Sequence, residues 1–277
     1  MIINFFVFVT NLILVAQING FPASEDTQPK QNKPEENPDL FEGDMLFPPS
    51  MNPIDRGVAL RGDEVVWTDG IIPYEIASGY ASAQEKFIIA SMEKLERLIA
   101  INNVQCIRFR PRISSDPYYI TIVNGFGCSS HVGQNTGVDM IRRVTLQYPG
   151  CFLEAIIMHE LLHTLGFFHE QSRPDRDDYI KVNYENIIPG REHNFEKYNN
   201  TVVDMLNTSY DYESVMHYPS NAFSVNNHST IEPLQPNVTI GQRFNLSSID
   251  ILEVRILYNC LDTGVTLPPT TTTTTGN

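Results

Sequence analysis

Apolar residues recur along this chain with two spacings, and the spacings predict where helices and strands lie. Phe87, Ile88, Met92, Leu95 and Ile99 stand at helical intervals, with Glu85, Lys86, Glu93, Lys94 and Arg97 largely on the other side. The pattern predicts an amphipathic helix over about 83–101. Ser82 with Glu85 three residues on reads as its capping box. Phe152 to Leu165 is apolar on most sides, which predicts a buried helix. A third helical pattern spans Ser247 to Tyr258, with Ser247, Ser248 and Asp250 as cap candidates. Strands are predicted at Val65–Trp67 and Ile71–Ile76 around the turn Asp69-Gly70, at Tyr118–Val123 and at Val144–Leu146. Asn124 to Gly137 reads as a Gly- and Ser-rich loop, and the chain between Leu165 and Ser247 is loop-rich. Strands and helices are segregated, which favours an α+β fold.

Both ends lack this patterning. Residues 1–20 carry no charge, and the apolar run Phe5 to Ala16 is too short to span a bilayer comfortably. It predicts a secretory signal peptide over 1–20, cut near Gly20. Residues 21–56 are acidic, proline-rich and poor in apolar residues before Leu40, so they cannot fold alone. Pro268, Pro269 and the run Thr270 to Thr275 mark 263–277 as a low-complexity tail. The folded unit is expected over 57–262.

Composition narrows the function. The 33 acids against 19 Lys and Arg argue against a nucleic-acid partner and against an anionic membrane surface. Four cysteines allow two disulfides in an exported domain. Five sequons, at Asn199, Asn207, Asn227, Asn237 and Asn245, are glycosylation candidates on the same reading.

The candidate chemistry sits in His159-Glu160-x-x-His163-x-x-Gly166-x-x-His169. Two histidines four apart project from one helix face and can share a zinc ion. Gly166 permits the left-handed turn that ends the helix and brings His169 to a third position. A fourth position stays open, as catalytic zinc requires. Glu160 is placed to serve as general base.

The stretch from His159 to Tyr179 resembles the zinc signature of the astacin metallopeptidases, and Ser214-Val215-Met216-His217-Tyr218 is similar to that family's Met-turn. The likeness extends over about 57–260, with Leu162 where Met is common. It implies a metzincin-type, two-lobed α+β domain: a twisted mixed sheet with helices, then a loop-rich lobe. It implies a secreted zinc endopeptidase, one Zn2+ per chain, acting on proteins or peptides as a monomer. Met216 would pack beneath the metal. Tyr218 would be a further ligand that swings away to stabilise the oxyanion. Disulfides would join Cys106 to Cys260 and Cys128 to Cys151, one of three pairings that sequence alone leaves open. Phe41-Glu42-Gly43-Asp44 resembles the family's inhibitory motif, with Asp44 as the zymogen's metal ligand in a propeptide over 21–56. An activating protease would cut at Arg56-Gly57 or Arg61-Gly62, and Glu170 would contact the new N-terminus.

Overall fold

Ile71–Ile76, one of the predicted strands, lies inside a six-stranded sheet. The computed structural model describes residues 33–48, 65–198 and 204–260, with the backbone of 265–266. In chain order the elements are β1 (Met45–Leu46), β2 (Ile71–Ile76), α1 (Ser82–Ile99), β3 (Val104–Gln105), β4 (Arg108–Pro111) and β5 (Ile120–Val123). There follow β6 (Cys128–His131), β7 (Arg142–Leu146), α2 (Glu154–Leu165), β8 (Ile180–Val182), β9 (Ile231–Pro233), α3 (Ser248–Leu257) and β10 (Val265–Thr266). The sheet order is β1-β6-β7-β5-β2-β4. Helix α1 carries the chain from β2 back to β4, which pairs with β2 in parallel; a parallel pair needs such a crossover. Only β6 runs against its neighbour β7.

Isoleucines and leucines from both sides of this arrangement form one core. Ile72, Ile120, Ile122 and Val144 from the sheet meet Ile88, Leu95 and Ile99 of α1 and Ile157, Leu161 and Leu165 of α2. Every residue of α2 after Glu154 is buried, as its all-round apolar pattern predicts. A second cluster, with Ile180, Phe195, Tyr210, Phe223 and Ile231, fills the loop-rich part after Gly166. The cysteines pair Cys106 with Cys260 and Cys128 with Cys151, with Cα atoms 5.5 and 5.8 Å apart. The first clips the chain ahead of β4 to the end of α3; the second ties the start of β6 to the chain ahead of α2. Among the described residues no helix is long and apolar enough to cross a membrane.

Several elements differ from expectation. Val65–Trp67 is not a strand, and β2 forms no hairpin with it. Trp67 instead buries its ring and donates its indole N–H to Thr164 O at 2.8 Å. The Asp69-Gly70 signal does mark a left-handed turn (φ 56° and 66°), used for a close approach: a Cβ on Gly70 would lie 2.4 Å from Cys106 O. Helix α1 starts one residue early, because Gln84 rather than Glu85 reaches back to accept from Ala81 N at 2.8 Å. β6 lies inside the stretch expected to be loop; Cys-Ser-Ser-His carries no apolar alternation although its first three residues are buried. Val265–Thr266, expected in the tail, pair with β3. The signal peptide, the two candidate cleavage sites and the polythreonine run lie outside the described residues.

Candidate metal centre

Helix α2 and the turn after it bring three imidazoles together. His159 and His163 sit four residues apart on α2 and project inward. Gly166 closes the helix at φ 110°, its N–H donating to His163 O and Leu162 O, and His169 returns to the same point. All three rings are wholly buried. His159 Nδ1 donates to Val215 O at 2.8 Å and His163 Nδ1 to Phe167 O at 2.7 Å. A carbonyl only accepts, so each Nδ1 carries the proton and each Nε2 presents a lone pair. His169 Nδ1 faces Glu42 Oε2 at 2.7 Å and is held in the same sense.

These lone pairs converge. His159 Nε2 and His169 Nε2 are 3.3 Å apart, and Asp44 Oδ2 lies 3.2 and 3.3 Å from them. Asp44 Oδ1 stands 3.5 Å from His163 Nε2. Neither Asp44 Oδ1 nor His163 Nε2 has a hydrogen-bond partner among the described residues. Buried acceptors crowded together repel unless a cation joins them. Three nitrogens and a carboxylate oxygen, with oriented outer partners, suit zinc. The group Asp44, His159, His163 and His169 fits that ion.

Two carboxylates at this centre behave in opposite ways. Burial alone would raise Asp44, but the facing histidines hold it well below the usual carboxylate range. Glu160 is pushed well above that range, first by burial and then by the charge of Asp44. Both Glu160 carboxylate oxygens are buried and without a hydrogen-bond partner among the described residues.

The loop between β8 and β9, tied to α3, completes the surroundings. Asp250, in the first turn of α3, accepts from Ser214 Oγ at 2.7 Å, Val215 N at 3.0 Å and Ser247 N at 2.8 Å. It therefore caps its own helix and fixes the carbonyl that orients His159. Met216 is buried in the main core, and its carbonyl accepts from Glu170 N at 3.2 Å. The Tyr218 hydroxyl donates to Glu42 O at 2.5 Å, so in this state it is committed to the N-terminal segment. Tyr218 N donates to Gln171 Oε1 at 3.0 Å. Glu170 lies in a separate buried nest: it accepts from Asp211 N at 2.7 Å and stands 3.3 Å from Arg173. Asn207, Asn227, Asn237 and Asn245 are exposed; Asn199 lies outside the described residues.

Residues 33–48 run across this centre and along β6. Cys128 N donates to Pro34 O, Ser130 N to Asp44 O and Val132 N to Leu46 O, at 2.9, 2.8 and 3.4 Å. The sheet-edge donors of β6 are thereby taken. Met45 and Leu46 pair in parallel with Ser130 and His131. Gly43 is required here, since a Cβ would meet Glu35 O at 2.6 Å, and its φ is 83°. Sequence reasoning missed Arg243, whose Nε donates to Glu35 Oε1 at 2.7 Å. It also missed Ser172 and Tyr198, which hold Glu42. No spacing signal marks these residues; only the fold makes them neighbours of the site.

Residues 60–259 match the model of the peptidase family described as Astacin. The chain belongs to the astacin family. Among astacin relatives, zinc metalloproteinase nas-13 of Caenorhabditis elegans is 42% identical over 215 residues, covering 77% of this chain and 46% of that protein. High choriolytic enzyme 1 of Oryzias latipes is 38% identical over 228 residues, covering 80% and 78%. The solved structure of that enzyme, described as a hatching enzyme zinc-protease, aligns at TM-score 0.62 and 39% identity over 70% of this chain and 93% of that one. The chain spans only about half of nas-13 and of nas-14, at 46% and 47% of their lengths. Zinc is the metal of this astacin domain, and its α+β fold is of the metzincin type.

Proposed function

We propose that the chain is a secreted, latent zinc endopeptidase, cleaving peptide bonds in proteins once residues N-terminal to the domain are removed. The observation that carries this is Asp44 lodged among three Nε2 lone pairs, beside an unpaired Glu160. Zinc held by His159, His163 and His169 supplies Lewis acidity, drawing charge from the scissile carbonyl and acidifying water. Glu160 takes the proton from the attacking water and returns it to the departing amine. Tyr218, released from Glu42 O, donates to the developing oxyanion and serves as a further metal ligand before substrate arrives. Substrate takes up the β6 edge donors that residues 34–46 now occupy. Arg243, freed from Glu35, favours an acidic side chain in the cleft.

Activation is by a second protease at Arg56-Gly57 or Arg61-Gly62, and the new ammonium docks at Glu170. What supports this is an excess of acid: Glu170, Asp175 and Glu253 stand 3.3, 2.9 and 3.8 Å from Arg173. Burial, and then the neighbouring Glu253, push Glu170 well above its usual range, so a further cation would be welcome there. Export is supported by the uncharged leader, two disulfides and exposed sequons.

Asp44→Ala tests the reading. The uncleaved variant is expected to hydrolyse a casein substrate that the wild-type precursor leaves intact. A variant precursor that folds, carries zinc and stays silent would refute latency through Asp44.

A further inference from the structure

Glu42 occupies a polar socket that the proposed reaction does not use. Its carboxylate is wholly buried. Oε2 accepts from His169 Nδ1 at 2.7 Å, and Oε1 accepts from Ser172 Oγ at 2.9 Å and from Tyr198 OH at 2.5 Å. All three donors lie C-terminal to the proposed cleavage sites and remain after activation. They are also held independently of Glu42. Tyr198 N donates to Ser172 O at 2.9 Å, which ties the two together. The Tyr198 ring packs edge-on against Phe168, 5.1 Å between centroids, which aims the hydroxyl.

Departure of Glu42 leaves three converging donors that had shared one carboxylate, and water or an incoming acceptor must take its place. A carboxylate answers all three, because it only accepts and its hydrogen bonds are roughly twice as strong as those of neutral groups. The socket is also close to the chemistry: one face of the His169 ring lines it through Nδ1, while Nε2 of the same ring faces Asp44 at 3.3 Å. It is distinct from the acid site at Arg243, which holds Glu35 by ion pairing.

We infer that Ser172, Tyr198 and His169 Nδ1 form a substrate subsite for an acidic side chain of glutamate's reach. The inference rests on the peptidase reading. The bound peptide places a glutamate there within a few residues of the scissile bond. Glutamine is disfavoured because its amide turns N–H groups toward a ring of donors.

The test uses the activated chain and peptide libraries carrying Glu, Gln or Asp at each position near the cleaved bond. At one position beyond that governed by Arg243, Glu is expected to exceed Gln in kcat/KM by roughly tenfold or more. Tyr198→Phe and Ser172→Ala, made separately, each lower that ratio. A binding arm runs alongside: calorimetry of peptide 33–48 and its Glu42→Gln form on the activated chain carrying Glu160→Gln. Glu42→Gln is expected to weaken binding roughly tenfold, and much less when Tyr198→Phe is also present. A Glu:Gln ratio that neither variant moves, or a binding loss that Tyr198→Phe leaves intact, overturns the subsite. Absence of all cleavage refutes the peptidase reading instead, and calorimetry still decides the socket.

Discussion

The chain from β2 to α2 and the chain from Gly166 to Leu246 hold their shapes by different means. The first is a sheet and two helices around Ile72, Leu95, Ile122 and Leu161, all fully buried. Among its described residues the second has two short strands and a series of 3-10 turns, and much of its interior is polar. Arg173 there is buried and donates to Asp175 at 3.0 and 2.9 Å and to Thr208 O at 2.9 Å. Apolar packing is non-directional and makes a firm support. Hydrogen bonds to backbone groups are directional, and they aim His159, Tyr218 and Glu170. Damage to the first region therefore costs stability, while damage to the second costs stability and also loosens the site.

Four substitutions press on that difference, from the largest effect to the smallest. Glu160→Gln sits in the rigid region but touches only the chemistry. Turnover by the activated chain is expected to fall roughly a hundred- to ten-thousandfold, with zinc content unchanged on metal analysis. Leu95→Ala, far from the metal, is expected to cost about 2–5 kcal/mol in denaturant unfolding, with zinc affinity kept. Asp250→Ala, in α3 but bonded to Ser214 and Val215 of the second region, is expected to cost about 1–3 kcal/mol by stranding Ser214 and Val215 N, and also to weaken zinc binding about tenfold or more in chelator competition, because Val215 O orients His159. Equal zinc affinity in Leu95→Ala and Asp250→Ala would erase the distinction.

Glu96 gives the smallest effect. It bridges α1 to β4 by accepting from Phe109 N at 2.5 Å and from Gln105 Nε2 at 2.8 Å. Burial raises its carboxyl from 4.5 to about 7. Between those values the folded chain holds a proton that the unfolded chain has released. Stability is therefore expected to decline as pH rises through that window, and to level off above it. Glu96→Gln should flatten this part of the pH profile measured by thermal unfolding, without altering zinc affinity.

The same contrast explains what sequence could reveal. Helix α2 was legible because its apolar run and the fixed spacing of His159, His163, Gly166 and His169 are local facts. The start of α3 was legible to within three cap candidates, of which Ser247 is the N-cap and Asp250 closes the capping box. β6 was not, because four residues reading Cys-Ser-Ser-His carry no apolar alternation. Asp44 could be read only through its resemblance to a known motif. Arg243, Ser172 and Tyr198 were hidden because Glu35 and Glu42 lie more than a hundred residues away from them along the chain.

The account rests on three Nε2 lone pairs gathered by one zinc ion. Elemental analysis of the purified, activated chain, with proteolysis followed through chelation and metal return, tests it directly. One zinc per chain is expected, with cleavage abolished by the chelator and restored by zinc. A chain that cleaves without stoichiometric metal, or that ignores the chelator, would contradict it.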